Sequence, residues 1–280
     1  MKVGESCAAC LYDKQQHLTE DKEYLAEVRQ IIDDRTENDT APYLVYLFNQ
    51  AYERRFGKRA SYKDIKKTYN DLVLSIEDNI REKIEKSRNS LETAFVYARI
   101  GNYIDFGAMN TVDEKVFLEL FDNGELHERD RETYISFTDK CLKAESFLLI
   151  ADNCGEIVLD KLFIEQLKKD YPKLDAAVMI RGEEVLNDAT IEDARYTGID
   201  KVARIVSNGS GIAGTVYEML NEEAKTEIDS ADVILSKGQG NYESLCGQGR
   251  DIFYSFLCKC DLFTGRFNVP RLTGIFIEEK

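Results

Sequence analysis

Along the first half of the chain, apolar residues recur at helical spacing. Tyr24, Leu25, Val28, Ile31 and Ile32 mark one face of a helix over 24–32. Pro42 stands at the first turn of another, carried by Leu44, Leu47, Phe48 and Tyr52 and closed by Gly57. Ser61 is placed to cap a third, with Asp64 three residues on. Its apolar set runs through Ile65, Tyr69, Leu72, Leu74, Ile76, Ile80 and Ile84 to about Arg88, and Lys and Glu fill the exposed face. Leu91 to Arg99 forms a fourth, ending at Gly101. No Pro- or Gly-rich linker, internal repeat or low-complexity tract interrupts this texture.

After Cys141 the period changes. Short apolar runs at Phe147–Ile150, Ala176–Ile180, Val202–Val206, Val233–Leu235 and Ile252–Cys258 alternate with helix-like stretches. That alternation predicts a mainly parallel, doubly wound sheet with helices on both faces. An amphipathic helix is predicted over 157–169, with Ile157, Leu159, Leu162, Phe163 and Leu167 turned inward. The expected fold is α/β: an all-helical region, 1–140, packed on a Rossmann-like α/β domain, 141–280.

Polar residues collect where the predicted strands end, and in such sheets ligands bind there. The first run leads into Asp152, Asn153, Gly155 and Glu156, hard oxygen donors beside a helix N-terminus that favours an anion. Helix capping is the plainer reading of the same residues. The second run leads to Arg181, suited to a phosphate, and to Asn187 and Asp188, another oxygen pair expected to face an open crevice. Thr190 with Asp193 reads as a cap. The third leads into Ser207-Asn-Gly-Ser-Gly-Ile-Ala-Gly-Thr215, whose glycines let backbone N–H groups approach an anion, with a helix expected from about Val216. It is neither a P-loop nor a dinucleotide fingerprint. The fourth leads into Lys237, Gly238, Gly240 and Asn241, a set suited to a phosphoryl group. Asn102 and Asp105, between Gly101 and Gly107, can reach into the same crevice or simply end a helix.

Composition narrows the classes. A net charge of −15 opposes nucleic-acid or anionic-membrane partners. No run of about 18 apolar residues is present. The N-terminus lacks a signal-peptide core, so a cytoplasmic location is expected. Seven cysteines in 280 residues suit reduced thiols, and two histidines make a His-rich zinc site improbable. Cys7-x-x-Cys10 with Cys258-x-Cys260 counts four thiols, but one-residue spacing is unusual for structural zinc.

Four of these motifs, in order over nearly the whole chain, resemble the damage-control phosphatase family, also called ARMT-like and long catalogued as a domain of unknown function. They are Gly101-Asn-x-Ile-Asp-Phe-Gly107, Asp152-Asn-x-Gly-Glu156, Arg181-Gly with Leu186-Asn-Asp-Ala-Thr190, and Lys237-Gly-x-Gly-Asn241. Cys7-Ala-Ala-Cys10 followed by Gln15 or Gln16 is similar to its stand-alone microbial branch. The resemblance implies a helical domain on an α/β domain and a metal-dependent phosphatase acting on phosphometabolites. It implies metal ligation by Asp152, Asn153 and Asp188, a phosphate side at Lys237 and Asn241, and a substrate turn at Gly209, Ser210 and Thr215. The tail from Asp261 to Pro270 is left unmatched to that pattern, and no substrate contact is assigned there.

The expected reaction is hydrolysis of a phosphomonoester of a small metabolite, such as a sugar phosphate. Asp152, Asn153, Asp188 and Lys237 are the expected catalytic group. Asn102, Asp105, Glu156, Arg181, Asn187, Gly209, Ser210, Thr215 and Asn241 are expected around the substrate. The cation is Mg²⁺, Mn²⁺, Co²⁺ or Ni²⁺, and the attacking group is a water or Asp152 itself. Cys154 stands two residues after Asp152, where haloacid-dehalogenase phosphatases carry a second aspartate. The rival classes are a Rossmann-type transferase such as a methyltransferase, and a non-catalytic phosphometabolite sensor.

Overall fold

The computed structural model describes residues 1–103, 119, 121–122 and 124–280. Among the described residues before Cys141, every regular element is helical. These are α1 (Glu5–Leu18), α2 (Lys22–Asp33), α3 (Ala41–Phe56), α4 (Lys63–Lys86), α5 (Ser90–Gly101) and α6 (Arg131–Cys141). Pro42 lies in the first turn of α3, the Thr40 hydroxyl accepts from Tyr43 N, and Gly57 closes the helix at φ 86°. The expectation for Ser61 needs correction. Tyr62 precedes α4, and the Ser61 hydroxyl instead donates to Glu184 Oε2 at 3.1 Å while accepting from Lys63 N.

The strands follow in the expected places. They are β1 (Ser146–Ile150), β2 (Asp175–Ile180), β3 (Arg204–Ser207), β4 (Val233–Lys237) and β5 (Ile252–Leu257). Val202 closes a 3₁₀ turn instead of opening β3. A sixth strand, β6 (Gly274–Glu279), pairs antiparallel with β5; the reading above did not assign it. The sheet order is β3-β2-β1-β4-β5-β6. β1 pairs in parallel with both β2 and β4, so the chain reverses its winding direction there. That switch point, at the carboxyl ends of β1 and β4, is where an α/β sheet opens its crevice.

Helices α7 (Glu156–Asp170), α8 (Ile191–Thr197), α9 (Glu222–Ser230), α10 (Gln239–Leu245) and α11 (Asp261–Phe267) complete the described set. The helix expected from Val216 is a 3₁₀ turn over Tyr217–Met219 followed by α9, which Asn221 caps. α7 was expected to be amphipathic, but it is buried without a break from Glu156 to Ile164. The reason is that its polar face meets α4 and α5 instead of water, so its charges are paired inside. Lys161 Nζ, for example, reaches Glu77 Oε2 at 2.8 Å and Thr197 O at 2.7 Å. One apolar cluster joins these layers and includes Phe95, Phe137, Phe147, Phe163, Phe253 and Phe276, with the Phe137 ring touching the other five. Phe95 and Phe276 lie 4.6 Å apart. Each such burial contributes about 1.5–3 kcal/mol. No helix among the described residues is long and apolar enough to cross a membrane.

Candidate active site

The four loops that carry the polar clusters leave one edge of the sheet, because β1 to β4 run parallel. Asp152 is half-buried, two residues past β1. Its Oδ2 accepts from Asn102 Nδ2 at 3.0 Å and Asn153 Nδ2 at 2.8 Å. The same two amide nitrogens donate to Glu156 Oε2, at 3.0 and 3.1 Å. Asn153 Oδ1 in turn accepts from Asn187 Nδ2 at 3.0 Å. Asn102 thus reaches the crevice from the end of α5. Asp105 lies outside the described residues.

β2 brings the second cluster alongside. Arg181 and Asp188 are buried, and Arg181 Nε donates to Asp188 Oδ2 at 2.6 Å. The remaining guanidinium nitrogens reach Gly214 O at 3.0 Å, Thr215 Oγ1 at 3.2 Å and Asn241 Oδ1 at 3.0 Å. Arg181 Nη2 stands 3.8 Å from Asp152 Oδ1. Asp188 is therefore not an open crevice residue: its carboxylate is locked to a buried arginine. Leu186, just before the Asn187–Asp188 pair, sits at φ 45°, in the left-handed region that disfavours branched side chains. Thr190 and Asp193 form the capping box that starts α8.

The glycine-rich turn differs from expectation. Its Gly209, Ser210, Ile212 and Gly214 N–H groups bond to Ser207 Oγ, Asn208 Oδ1, Ser210 Oγ and Ile212 O. Those four amides are spent within the turn. The turn also packs closely: a β-carbon on Gly182 would lie 2.5 Å from Gly209 Cα. Asn208, wholly buried, ties the two loops by accepting from both Gly182 N and Ser210 N.

Lys237 also departs from its expected setting. It is the last residue of β4, is 1% exposed, and turns away from solvent into α5 and α7. Its Nζ donates to Glu156 Oε1 at 2.6 Å, Asp160 Oδ1 at 2.7 Å and Ala98 O at 3.0 Å. One ammonium faces two buried acids. Burial works against its charge, but the carboxylates outweigh that and hold it protonated above the usual lysine range. Burial, opposed by Lys237 and reinforced by Glu156, pushes Asp160 up to about 7. Asn241, beyond Gly238, donates to Ala151 O and Lys237 O and so fixes the end of β1 to the end of β4.

The field at Asp152 is negative. Burial first, then Asp188 and Glu156, raise its carboxyl well above the usual range; Lys259 and Arg181 oppose them. Lys259, 8% exposed and two residues beyond β5, was not singled out above. The signal was available, since it is the first charged residue after the fifth apolar run. Gln239 Oε1 accepts its backbone N–H at 3.1 Å. A cleft of about 500 Å³ opens beside these loops between α3 and residues 183–186, but Asp152 is not in its lining.

The damage-control phosphatase ARMT1-like domain matches residues 4–273. The chain belongs to this family. Membership makes it a phosphatase, and hence a hydrolase. An uncharacterized protein of Methanocaldococcus jannaschii is 31% identical over 277 residues, covering 93% of this chain and 90% of the relative. A damage-control phosphatase of Archaeoglobus fulgidus is 28% identical over 274 residues, covering 93% of each chain. The fold is shared with the crystal structure of a DUF89 family protein from Pyrococcus horikoshii. That match has a TM-score of 0.81 over 100% of both chains, at 24% identity. Among the described residues, no group of three or more His, Cys, Asp or Glu side chains is arranged to hold a metal ion. That includes the cysteine motifs; the oxygen donors around Asp152 are two aspartates and an amide.

Proposed function

We propose that the chain is a metal-dependent phosphomonoesterase acting on small phosphorylated metabolites. The observation that carries this reading is the convergence of Asp152, Asn153 and Asp188 with the buried Arg181 at the switch point of the sheet. Relatives named damage-control phosphatases support it. Substrates of the sugar-phosphate class fit the polar crevice. We also infer a cytoplasmic setting, and no nucleic-acid partner for so acidic a chain.

The donor set suits a hard divalent cation. Asp188 and Glu156 make it costly for Asp152 to ionise by itself, and a cation relieves that cost. Asp152, Asn153 and Asp188 would hold the cation, from among Mg²⁺, Mn²⁺, Co²⁺ and Ni²⁺, and it would supply charge neutralisation at the phosphoryl oxygens. The protein's own groups do the rest. Arg181, held by Asp188, Thr215 and Asn241, keeps a fixed positive charge beside Asp152 Oδ1. Lys259 supplies a second one, the role first expected of Lys237. Asn102, Asn153 and Glu156 fix the Asp152 carboxylate. Asp152 Oδ1 then either attacks phosphorus as the ester P–O bond breaks and the alcohol leaves, with water later cleaving the acyl phosphate, or orients the water that displaces the alcohol directly. Asn187, Gly209, Ser210, Thr215 and Asn241 shape the loops around the phosphoryl group.

The test is inorganic phosphate release across a phosphometabolite panel, after chelation and with each of the four cations restored. Release only with a cation supports the reading. No release on any substrate with any cation refutes it and favours a sensor.

A further inference from the structure

The Asp160 carboxylate makes one hydrogen bond, Oδ1 with Lys237 Nζ at 2.7 Å. Its other oxygen, Oδ2, is buried with no partner among the described residues. Without Asp160, Lys237 still keeps Glu156 as a buried counter-charge, so charge pairing alone does not explain a second acid at this place. Its placement connects it to the reacting groups. Asp160 lies one turn beyond Glu156 on α7, so both carboxylates leave the same face. Lys237 Nζ joins them, and with Ala98 O all three of its N–H donors are used. Glu156 then turns Oε2 to Asn102 and Asn153, whose amide nitrogens hold Asp152 Oδ2. An unbroken path runs from Asp160 through Lys237, Glu156 and Asn153 to Asp152.

We propose that Asp160 is a positioning residue for the phosphatase site. It anchors the Lys237 ammonium, Lys237 fixes the rotamer of Glu156, and Glu156 sets the amides that aim Asp152. This rests on the reading of Asp152, Asn153 and Asp188 as the phosphatase centre. The path passes through charge-assisted bonds inside a buried helix, where a shift at one end is transmitted instead of being absorbed by water. The role needs an acceptor at position 160, whereas a packing role needs only volume.

That difference decides the experiment. Asp160→Asn keeps an acceptor oxygen; Asp160→Leu keeps the volume and removes the acceptor. Both variants and the wild type are assayed with p-nitrophenyl phosphate and with the best panel substrate at saturating Mn²⁺, and their melting midpoints are measured. We expect Asp160→Asn to lose about threefold in kcat and Asp160→Leu at least tenfold, a barrier change of about 1.4 kcal/mol. KM should stay within about twofold for both. Should Asp160→Leu fail to fold, Asp160→Ala takes its place with the same expected loss. An acceptor-free variant that folds and keeps kcat within threefold overturns the positioning role while the phosphatase reading stands. Loss of kcat equal in the Asn and Leu variants also overturns it. A wild type that releases no phosphate from any substrate refutes the phosphatase reading and takes the positioning role with it.

Discussion

A β-carbon built on Gly238 would stand 2.1 Å from Asp152 Oδ2, and Gly238 sits at φ +84°. The first residue after β4 therefore sets how closely the Asp152 carboxylate approaches that strand. Gly238→Ala forces either the backbone or the carboxylate to move. We expect a loss of about 1–3 kcal/mol in stability from the conformation alone. We also expect at least 10²-fold in kcat/KM, on the scale of about 1 Å of misplacement. Denaturant unfolding and phosphate release check the two parts separately.

The two lysines should behave differently. Lys237→Met leaves Glu156 and Asp160 without their buried counter-charge, which costs about 3–5 kcal/mol. Lys259→Met should lose about 10²-fold in kcat/KM with a smaller fall in melting midpoint than Lys237→Met, because Lys237 faces two buried acids. Thermal unfolding beside steady-state kinetics separates them. A Lys259 variant with wild-type turnover would remove that residue from the phosphate side.

Asp188→Ala is a poor probe of the metal, because it strands the buried Arg181 guanidinium and costs about 3–5 kcal/mol. Asp188→Asn keeps the shape. Titration calorimetry should show Mn²⁺ binding at least tenfold weaker, about 1.4 kcal/mol, with a smaller fall in melting midpoint than for Asp188→Ala. Unchanged affinity would take Asp188 out of the ligand set.

Asp160 gives a pH dependence with a definite sign. Its carboxyl is raised from 3.8 to about 7 in the folded chain, so the folded state binds the extra proton. Stability from this group is complete below about 3.8 and is lost as pH rises to about 7. The slope approaches about −1.4 kcal/mol per pH unit. The stability of wild type minus that of Asp160→Asn should fall across this window in urea titrations. A difference that rises with pH would mean that Asp160 is ionised throughout.

Cys7, with Cys10 and Cys260 nearby, has its thiol pushed up to about 11, by burial first and then by Glu243. It is protonated at neutral pH and so a weak nucleophile. The Cys7→Ser, Cys10→Ser pair should keep turnover per folded molecule within about tenfold, or about 1.4 kcal/mol. A larger loss, measured against active-site-titrated enzyme, would give the motif a part in the chemistry.

Period and punctuation in the sequence determined α2 to α5, α7, five of the six strands and the sheet edge at which the polar clusters collect. Those features follow from local sterics and from which residues avoid water. The motif set also carried the family resemblance, because Asp152-Asn153, Asn187-Asp188 and Lys237-Gly-x-Gly-Asn241 are contiguous in the chain. The tail was not legible: β6 exists because β5 offers it an edge, and its own residues, Gly274 to Glu279, give no strong alternation. Only the tertiary structure decided which way each charged residue faces. The sequence offered Lys237 to a ligand, yet covering α7 with α4 and α5 made Glu156 and Asp160 interior, and buried carboxylates take the nearest cation. Asp188 went to Arg181 for the same reason. Lys259 came into the field of Asp152 because the ends of β5 and β1 lie on either side of β4 in one sheet, 107 residues apart in sequence. Charge pairing in an interior depends on distances between elements far apart in the chain, and local pattern does not encode those distances.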